Sequence, residues 1–221
     1  MKIVIWVLLC IFCSCKTKEF KKNNLTNKSK TMKIFDSKKY RNLKIDSTIS
    51  PSENDTVYLN QNKKIRITHS NDKIQEVERV NGSPYELTNI YFHNKKLSLT
   101  VNKFYNIPTG ISQKYNEQGA LIEEKDWDEN FKFSLNDLIK KMNTEFNIDI
   151  LNIKKTLIVN RYLINQDKKR PVYEISTRTE IGSEQIQSFL IDGNSGKLLF
   201  ITKHSMGDKN GSLLDQYLNS L

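Results

Sequence analysis

Three cysteines, three histidines and a few clustered carboxylates are the side chains best suited to chemistry in this chain of 221 residues. A thiolate is both a nucleophile and a metal ligand. Here the cysteines are Cys10, Cys13 and Cys15, so thiol chemistry is confined to the extreme N-terminus. Beyond it there is no Cys-based zinc site, no thiol nucleophile and no disulfide frame, and the rest of the chain must be held by its own core. His69, His93 and His204 have no second His or carboxylate at helical ligand spacing, and no His-Glu-x-x-His occurs. His69 and His93 flank predicted turns and read as surface residues. There is no Gly-x-Ser-x-Gly elbow, Gly-rich phosphate loop or dinucleotide fingerprint. The acidic run Glu123-Glu124-Lys125-Asp126-Trp127-Asp128-Glu129 has the charge to bind a cation or a basic partner; it reads as a solvated linker, with Trp127 packed on the helix that follows. Glu180 and Glu184 flank a Gly turn and read as solvated rather than as an acid–base pair. No catalytic, cofactor-binding or metal-binding residue is assigned, and no cofactor is expected.

The segment that presents the cysteines is itself informative. Lys2 precedes an uncharged apolar run, Ile3 to Cys13, followed by Lys16, Thr17, Lys18 and Glu19. A helix that crosses a bilayer needs roughly 20 apolar residues, so this run is too short to span. It has the form of a signal-peptide core. Its end, Phe12-Cys13-Ser14-Cys15, resembles a bacterial lipobox, in which a small residue precedes a Cys that is acylated before cleavage. Ser14 is that small residue; Phe12 stands where Leu is commonest. The resemblance implies that residues 1–14 are a lipoprotein signal peptide and that Cys15 is the lipidation site. The protein is then anchored to a membrane of the cell envelope rather than spanning it.

The formal net charge is +10, with 37% hydrophobic and 27% charged residues. Such a balance suits an anionic membrane surface or an acidic partner; with the envelope location, no nucleic-acid partner is expected. The excess is uneven, since residues 16–44 hold many Lys against only Glu19 and Asp36. Residues 15–55 show no sustained period and are expected to form a flexible basic tether, because they cannot bury enough surface to offset ordering entropy; within it Met32 to Tyr40 is a candidate for one local turn or strand. The richness in Asn, Lys and Ile, with the Phe-x-Ser-Cys box, resembles lipoproteins of Bacteroidota.

From about Thr56 the pattern changes to short strands and tight turns. Val57–Leu59, Ile65–Ile67, Ile74–Val80, Ile90–Phe92 and Leu97–Leu99 are separated by polar turns, with Asn81-Gly82 a strong hairpin signal. Ile67, Asn71, Lys73 and Ile74 align with Ile90, Asn94, Lys96 and Leu97 at an offset of 23, and Asn116 and Leu121 begin a third unit. The stretch Gln113-Lys-Tyr-Asn-Glu-Gln-Gly-Ala-Leu-Ile-Glu-Glu resembles the hairpins of MORN-like antitoxin and envelope repeat proteins. Residues 56–130 are therefore expected to be a β-hairpin repeat region.

A helix start is marked at Ser134, with Asp137 as its capping-box partner and Phe133 and Leu138 placed to form a hydrophobic staple. Leu135, Leu138, Ile139, Met142 and Phe146 recur at helical spacing, predicting a helix that ends at Phe146 or Asn147, with Lys140 and Lys141 near its C-terminal end. Four strands should follow: Thr156–Ile164, Val172–Ile181, one around Ile186, Phe189 and Ile191, and Leu198–Thr202. In the second, Tyr173, Ile175 and Thr177 form the apolar set. Leu138, Met142, Tyr173, Ile175, Phe189 and Leu199 are expected to share one core. Pro171–Ile175, Gln187–Asp192 and the turn Asn194–Leu198 resemble the PepSY domain, whose last hairpin matches at Asp192 and Gly196. The resemblance covers about residues 131–205 and implies an inhibitory or binding module without catalytic residues; residues 206–221 remain as a tail able to hold one short helix.

The expected fold class is α+β: antiparallel hairpins, then a helix packed on a four-stranded antiparallel sheet. The expected function is a non-enzymatic envelope lipoprotein that binds a protein or peptide partner, inhibitory or immunity-like. The alternative is an envelope hydrolase whose site is assembled from carboxylates scattered in the sequence.

Overall fold

Alternating side chains and tight turns fold the described residues into twelve antiparallel strands and two helices. The computed structural model describes residues 32–49, 52, 54–165, 169–208 and 211–221. Eight strands form one sheet in sequence order: β1 (Lys44–Ile45), β2 (Asp55–Asn60), β3 (Lys63–His69), β4 (Lys73–Val80), β5 (Tyr85–Phe92), β6 (Leu97–Phe104), β7 (Ile107–Tyr115) and β8 (Leu121–Asp126). After α1 (Leu135–Phe146), four strands form a second sheet: β9 (Thr156–Asn165), β10 (Lys169–Arg178), β11 (Gln185–Asp192) and β12 (Leu198–Ser205). Its order is β12-β11-β10-β9, and α2 (Leu213–Leu218) follows it. The architecture is thus mostly antiparallel β, with two helices. Residues Met32–Leu221 form one compact unit.

Each strand pair follows from its turn. Gly82 has a φ of 73°, the left-handed conformation that the Asn81-Gly82 signal predicts. The offset of 23 seen in the sequence is one hairpin step: it carries the β3–β4 turn onto the β5–β6 turn, and that onto the β7–β8 turn. All three turns lie at the same end of the meander.

The sequence pattern runs the tether to residue 55, yet the chain is packed from Met32 onward. Phe35 and Tyr40 are buried with Ile65, Ile67, Ile74, Tyr91 and Leu97. Leu97 N donates to Lys33 O (3.0 Å) and Phe35 N donates to Lys95 O (2.8 Å). A 3-10 turn, Ser37–Tyr40, is capped by Asp36. Residues 32–43 therefore form a strap across one face of the large sheet. Two aromatic residues in a polar stretch carry no periodic signal; their partners come from strands far along the chain.

The helix α1 begins as its capping box demands, with Ser134 accepting from Asp137 N and the Asp137 carboxylate answering the Ser134 backbone. It stops where Asn147 turns left-handed, with a φ of 55°. Lys140 and Lys141 fall short of the last turn, which holds no basic residue. Leu138 and Met142 are fully buried in one cluster with Phe104, Ile107, Ile150, Val159, Tyr173, Ile175, Phe189 and Ile191.

Leu199 departs from the expected core. A register shift between Leu190 and Ile191 pairs Leu190 with Phe200 and Ile191 with Leu198. The bulge lets Leu198 join the first cluster and turns Leu199 toward a second, made of Ile164, Val172, Leu190, Leu213 and Tyr217. Val172, outside the apolar set expected from the sequence, is buried there because α2 brings Leu213 and Tyr217 over it. Both faces of the small sheet thus contribute buried side chains.

The turn between β11 and β12 is tightly built. Asp192 accepts from Asn194 N (3.0 Å), Ser195 N (2.8 Å), Ser195 Oγ (2.9 Å) and Arg170 Nε (2.7 Å). Gly196 has a φ of 71°, and a Cβ there would lie 2.5 Å from the Phe133 ring.

Candidate functional site

Cys15 and the signal segment lie outside the described residues. His69 ends β3, and His93 follows β5; both are exposed. His204 lies on β12, half-buried, and its Nδ1 has no partner among the described residues. Glu180 and Glu184 stand exposed on either side of the β10–β11 turn. The residues singled out from the sequence therefore do not converge. Among the described residues no three His, Cys, Asp or Glu side chains gather as a metal site, and no helix is long and apolar enough to cross a membrane.

Two buried carboxylates that the sequence did not mark lie on opposite faces of the large sheet. Glu76 points under the strap. Its Oε1 accepts from Lys39 Nζ (2.5 Å) and Tyr40 OH (2.5 Å), and its Oε2 accepts from Tyr91 OH (2.6 Å) and Asn89 Nδ2 (3.2 Å). Burial alone raises a carboxyl pKa; here it is outweighed by the hydrogen bonds from Lys39, Tyr40 and Tyr91, and Glu76 is held down at about 2. Burial, reinforced by Glu76, pushes the Tyr40 and Tyr91 hydroxyls well above the ordinary phenol range. The group is a closed set of charge-assisted bonds that fastens the strap.

Glu86 faces a groove of about 480 Å³ lined by Lys64, Arg66, Arg79 and Lys103. It accepts from Arg79 Nε (2.6 Å) and Thr88 Oγ1 (2.8 Å), with Lys103 Nζ at 3.3 Å. These partners outweigh burial and lower its pKa. Lys64 is paired with Asp46 at 2.7 Å, and Arg66 forks onto Asp55. Each cation of the groove is already matched by a carboxylate, so the groove is a lattice of ion pairs rather than an anion site.

The acidic run is where the structure differs most from the linker expected. Residues 121–126 form β8, the last strand of the large sheet, and all six are exposed. Trp127 is held from the β7 side: its Nε1 donates to Ser112 Oγ (3.0 Å), and Lys125 Nζ lies 3.5 Å from the ring centre. Asp128 accepts from Gly110 N (2.9 Å) and Arg161 NH1 (2.6 Å), which ties the end of β8 to the small sheet. Leu121 (39% exposed), Ile122 (56%) and Ile111 (51%) stand in solvent beside Glu123, Glu124 and Asp126. Alternate residues of an edge strand turn N–H and C=O away from the sheet, so β8 offers backbone bonds to another strand. No family model, no curated protein and no solved structure matches this chain. The alternation around Leu121-Ile122 was legible as a hairpin; that β8 is an edge was not, because an edge is defined by which strands lie beside it in space.

Proposed function

We propose that this protein is a non-enzymatic, lipid-anchored protein of the cell envelope that binds a protein or peptide partner through an open sheet edge, in an inhibitory or immunity-like role. The observation that carries the reading is β8, a six-residue terminal strand exposed along its whole length. Extended segments add to such edges by backbone hydrogen bonds, and side chains beside the edge select among them. The outer strand β12 is also a terminal strand, though most of its residues are half-buried. The hairpin meander supports a MORN-like reading of residues 56–130. Supporting a PepSY-like C-terminal module, with α1 laid on the four-stranded sheet, are the cluster shared by Leu138, Met142, Tyr173, Ile175 and Phe189 and the Phe146–Phe189 ring contact at 4.9 Å. In this reading Cys15 carries the anchor and residues 15–31 remain as the tether.

Two measurements test the proposal. Metabolic labelling with a palmitate analogue should mark the wild type and spare Cys15→Ser; equal label on both would refute the anchor. Affinity capture from envelope extracts with the full-length chain should retain a partner, and an edge-blocking variant, Glu124→Pro, should fail to retain it. A partner held equally by that variant binds elsewhere.

A further inference from the structure

Resting on the edge-binding reading above, we infer that β8 selects a basic extended segment, with cationic side chains alternating with small apolar ones. Charge favours such a segment. Residues 121–129 hold five acids, Glu123, Glu124, Asp126, Asp128 and Glu129, against one base, Lys125. Asp128 is already paired with Arg161, which leaves four acids against that one base in a chain whose formal net charge is +10. The single base is engaged, with its ammonium over the Trp127 ring. Among the described residues Glu124 accepts only from the neutral Gln113 amide (2.8 Å), and Glu123 meets Lys114 at 3.7 Å. Opposite charges facing each other across strands stabilise a pair, and like charges destabilise it. A strand with cations at alternate positions therefore gains opposite Glu124 and Asp126, which share one face of β8.

The same rule removes a second copy of this chain as the occupant. Two β8 strands paired edge to edge would bring Glu123, Glu124 and Asp126 against one another. The apolar half of the preference comes from Ile122, which with Tyr115 and Phe92 lines a shallow hollow of about 480 Å³ at the start of the strand; Lys73 and Lys114 also line it, so it takes an apolar side chain rather than a cation. Ile111 and Leu121 add exposed apolar surface beside the edge. An incoming strand places successive side chains on opposite faces, so Glu124 and Asp126 on one face and the hollow on the face of Glu123 and its partner Lys114 read alternate positions of one segment.

The test uses the full-length chain in detergent, an alternating Lys–Val peptide and its Glu–Val counterpart, with hydrogen exchange resolved by residue and binding followed by fluorescence anisotropy. The Lys–Val peptide should slow exchange of β8 amides, more weakly as salt rises. Glu124→Lys with Asp126→Lys, two residues of one face of β8, should weaken it about tenfold, as expected for two reversed cross-strand pairs, and should bind the Glu–Val peptide in its place. That gain of binding separates a change of preference from misfolding. Protection of β12 in place of β8 would overturn this inference and leave edge binding standing. No protection by either peptide, with a partner still captured from extracts, would do the same. Protection of β8 before any peptide is added, unchanged by it, would place a second copy or the chain's own Lys-rich residues 16–31 on the edge and overturn it as well.

Discussion

Replacing Glu76 with Ala should release the strap. Glu76 is 3% exposed and accepts four hydrogen bonds, one from an ammonium, two from phenols and one from an amide. Its removal leaves the Tyr91 hydroxyl, on a fully buried residue, and the Tyr40 hydroxyl, on a residue 3% exposed, without their acceptor. Orphaning a buried polar group costs about 1–3 kcal/mol. Because these groups share one acceptor, the costs do not add. Breaking a buried pair from one side gives about 3–5 kcal/mol, and that is the expected loss for Glu76→Ala. Glu76→Gln keeps the shape and loses the charge, so it should cost about 1.5–3 kcal/mol, the worth of charge-assisted bonds. Lys39→Ala should cost least, about 1 kcal/mol or less, since that side chain is 43% exposed. The carboxyl pKa is lowered in the fold, so its stabilisation is complete above the unfolded value, near 4.5, and is lost as pH falls through about 2. The gap between wild type and Glu76→Gln should therefore be widest near neutrality and narrow below about pH 4.5. Denaturant melts of the full chain across pH measure the gap, and trypsin reports the strap through cleavage at Lys38, Lys39 and Arg41. If Glu76→Ala melts within about 0.5 kcal/mol of wild type and those sites stay protected, Glu76 does not hold the strap.

Two further comparisons probe the C-terminal half. Gly196→Ala forces a left-handed alanine into the Phe133 ring, whereas Gly182→Ala, at a φ of 82° with open space around it, meets only the backbone penalty; thermal melts should show losses of about 2–4 and about 1–2 kcal/mol respectively. Leu138→Ala should cost about 2–5 kcal/mol for a fully buried side chain, Ser134→Ala about 0.5–2 kcal/mol for a lost cap, and the exposed Lys140→Ala about 0.5 kcal/mol or less; equal losses across the three would contradict the shared core.

Local chemistry was legible in this sequence, and remote pairing was not. Ser134, Asp137 and the spacing from Leu135 to Phe146 set both ends of α1, because caps and helical period involve near neighbours. Asn81-Gly82 and the offset of 23 marked hairpins for the same reason. Glu76 shows the opposite case. It lies at an inward position between Ile74 and Glu78 on an alternating strand, and only the strap, Asn89 and Tyr91 explain a carboxylate there. Leu199 was misassigned because a one-residue bulge exchanges faces without leaving a mark in composition. Val172 was read as outward because α2, which covers it, lies some forty residues downstream. The edge character of β8 was likewise hidden, since the acids that suggested a linker also suit an exposed strand.

The strap also decides where tension would enter the fold. Met32 sits directly on Gly119, where an added Cβ would meet its sulfur at 2.2 Å, so a pull on the upstream chain arrives at the tip of the β7–β8 hairpin. From there the load passes to the Ile34–Lys96 bridge and then, through Lys39 and Tyr40, to Glu76 on the fourth strand of the sheet. These bonds are few and act in series, and β1 is joined to β2 by two residue pairs, whereas the strand pairs beyond β2 are joined along their length, so the strap gives way first and β1 with it. Its release frees residues 32–43, a reach of roughly 40 Å when extended, while strands β2 to β8 stay paired. A protein held at its N-terminus and gripped at β8 would thus yield by one defined step of extension before any of the strands β2 to β8 is lost, and the Glu76 contacts set the force at which that step occurs.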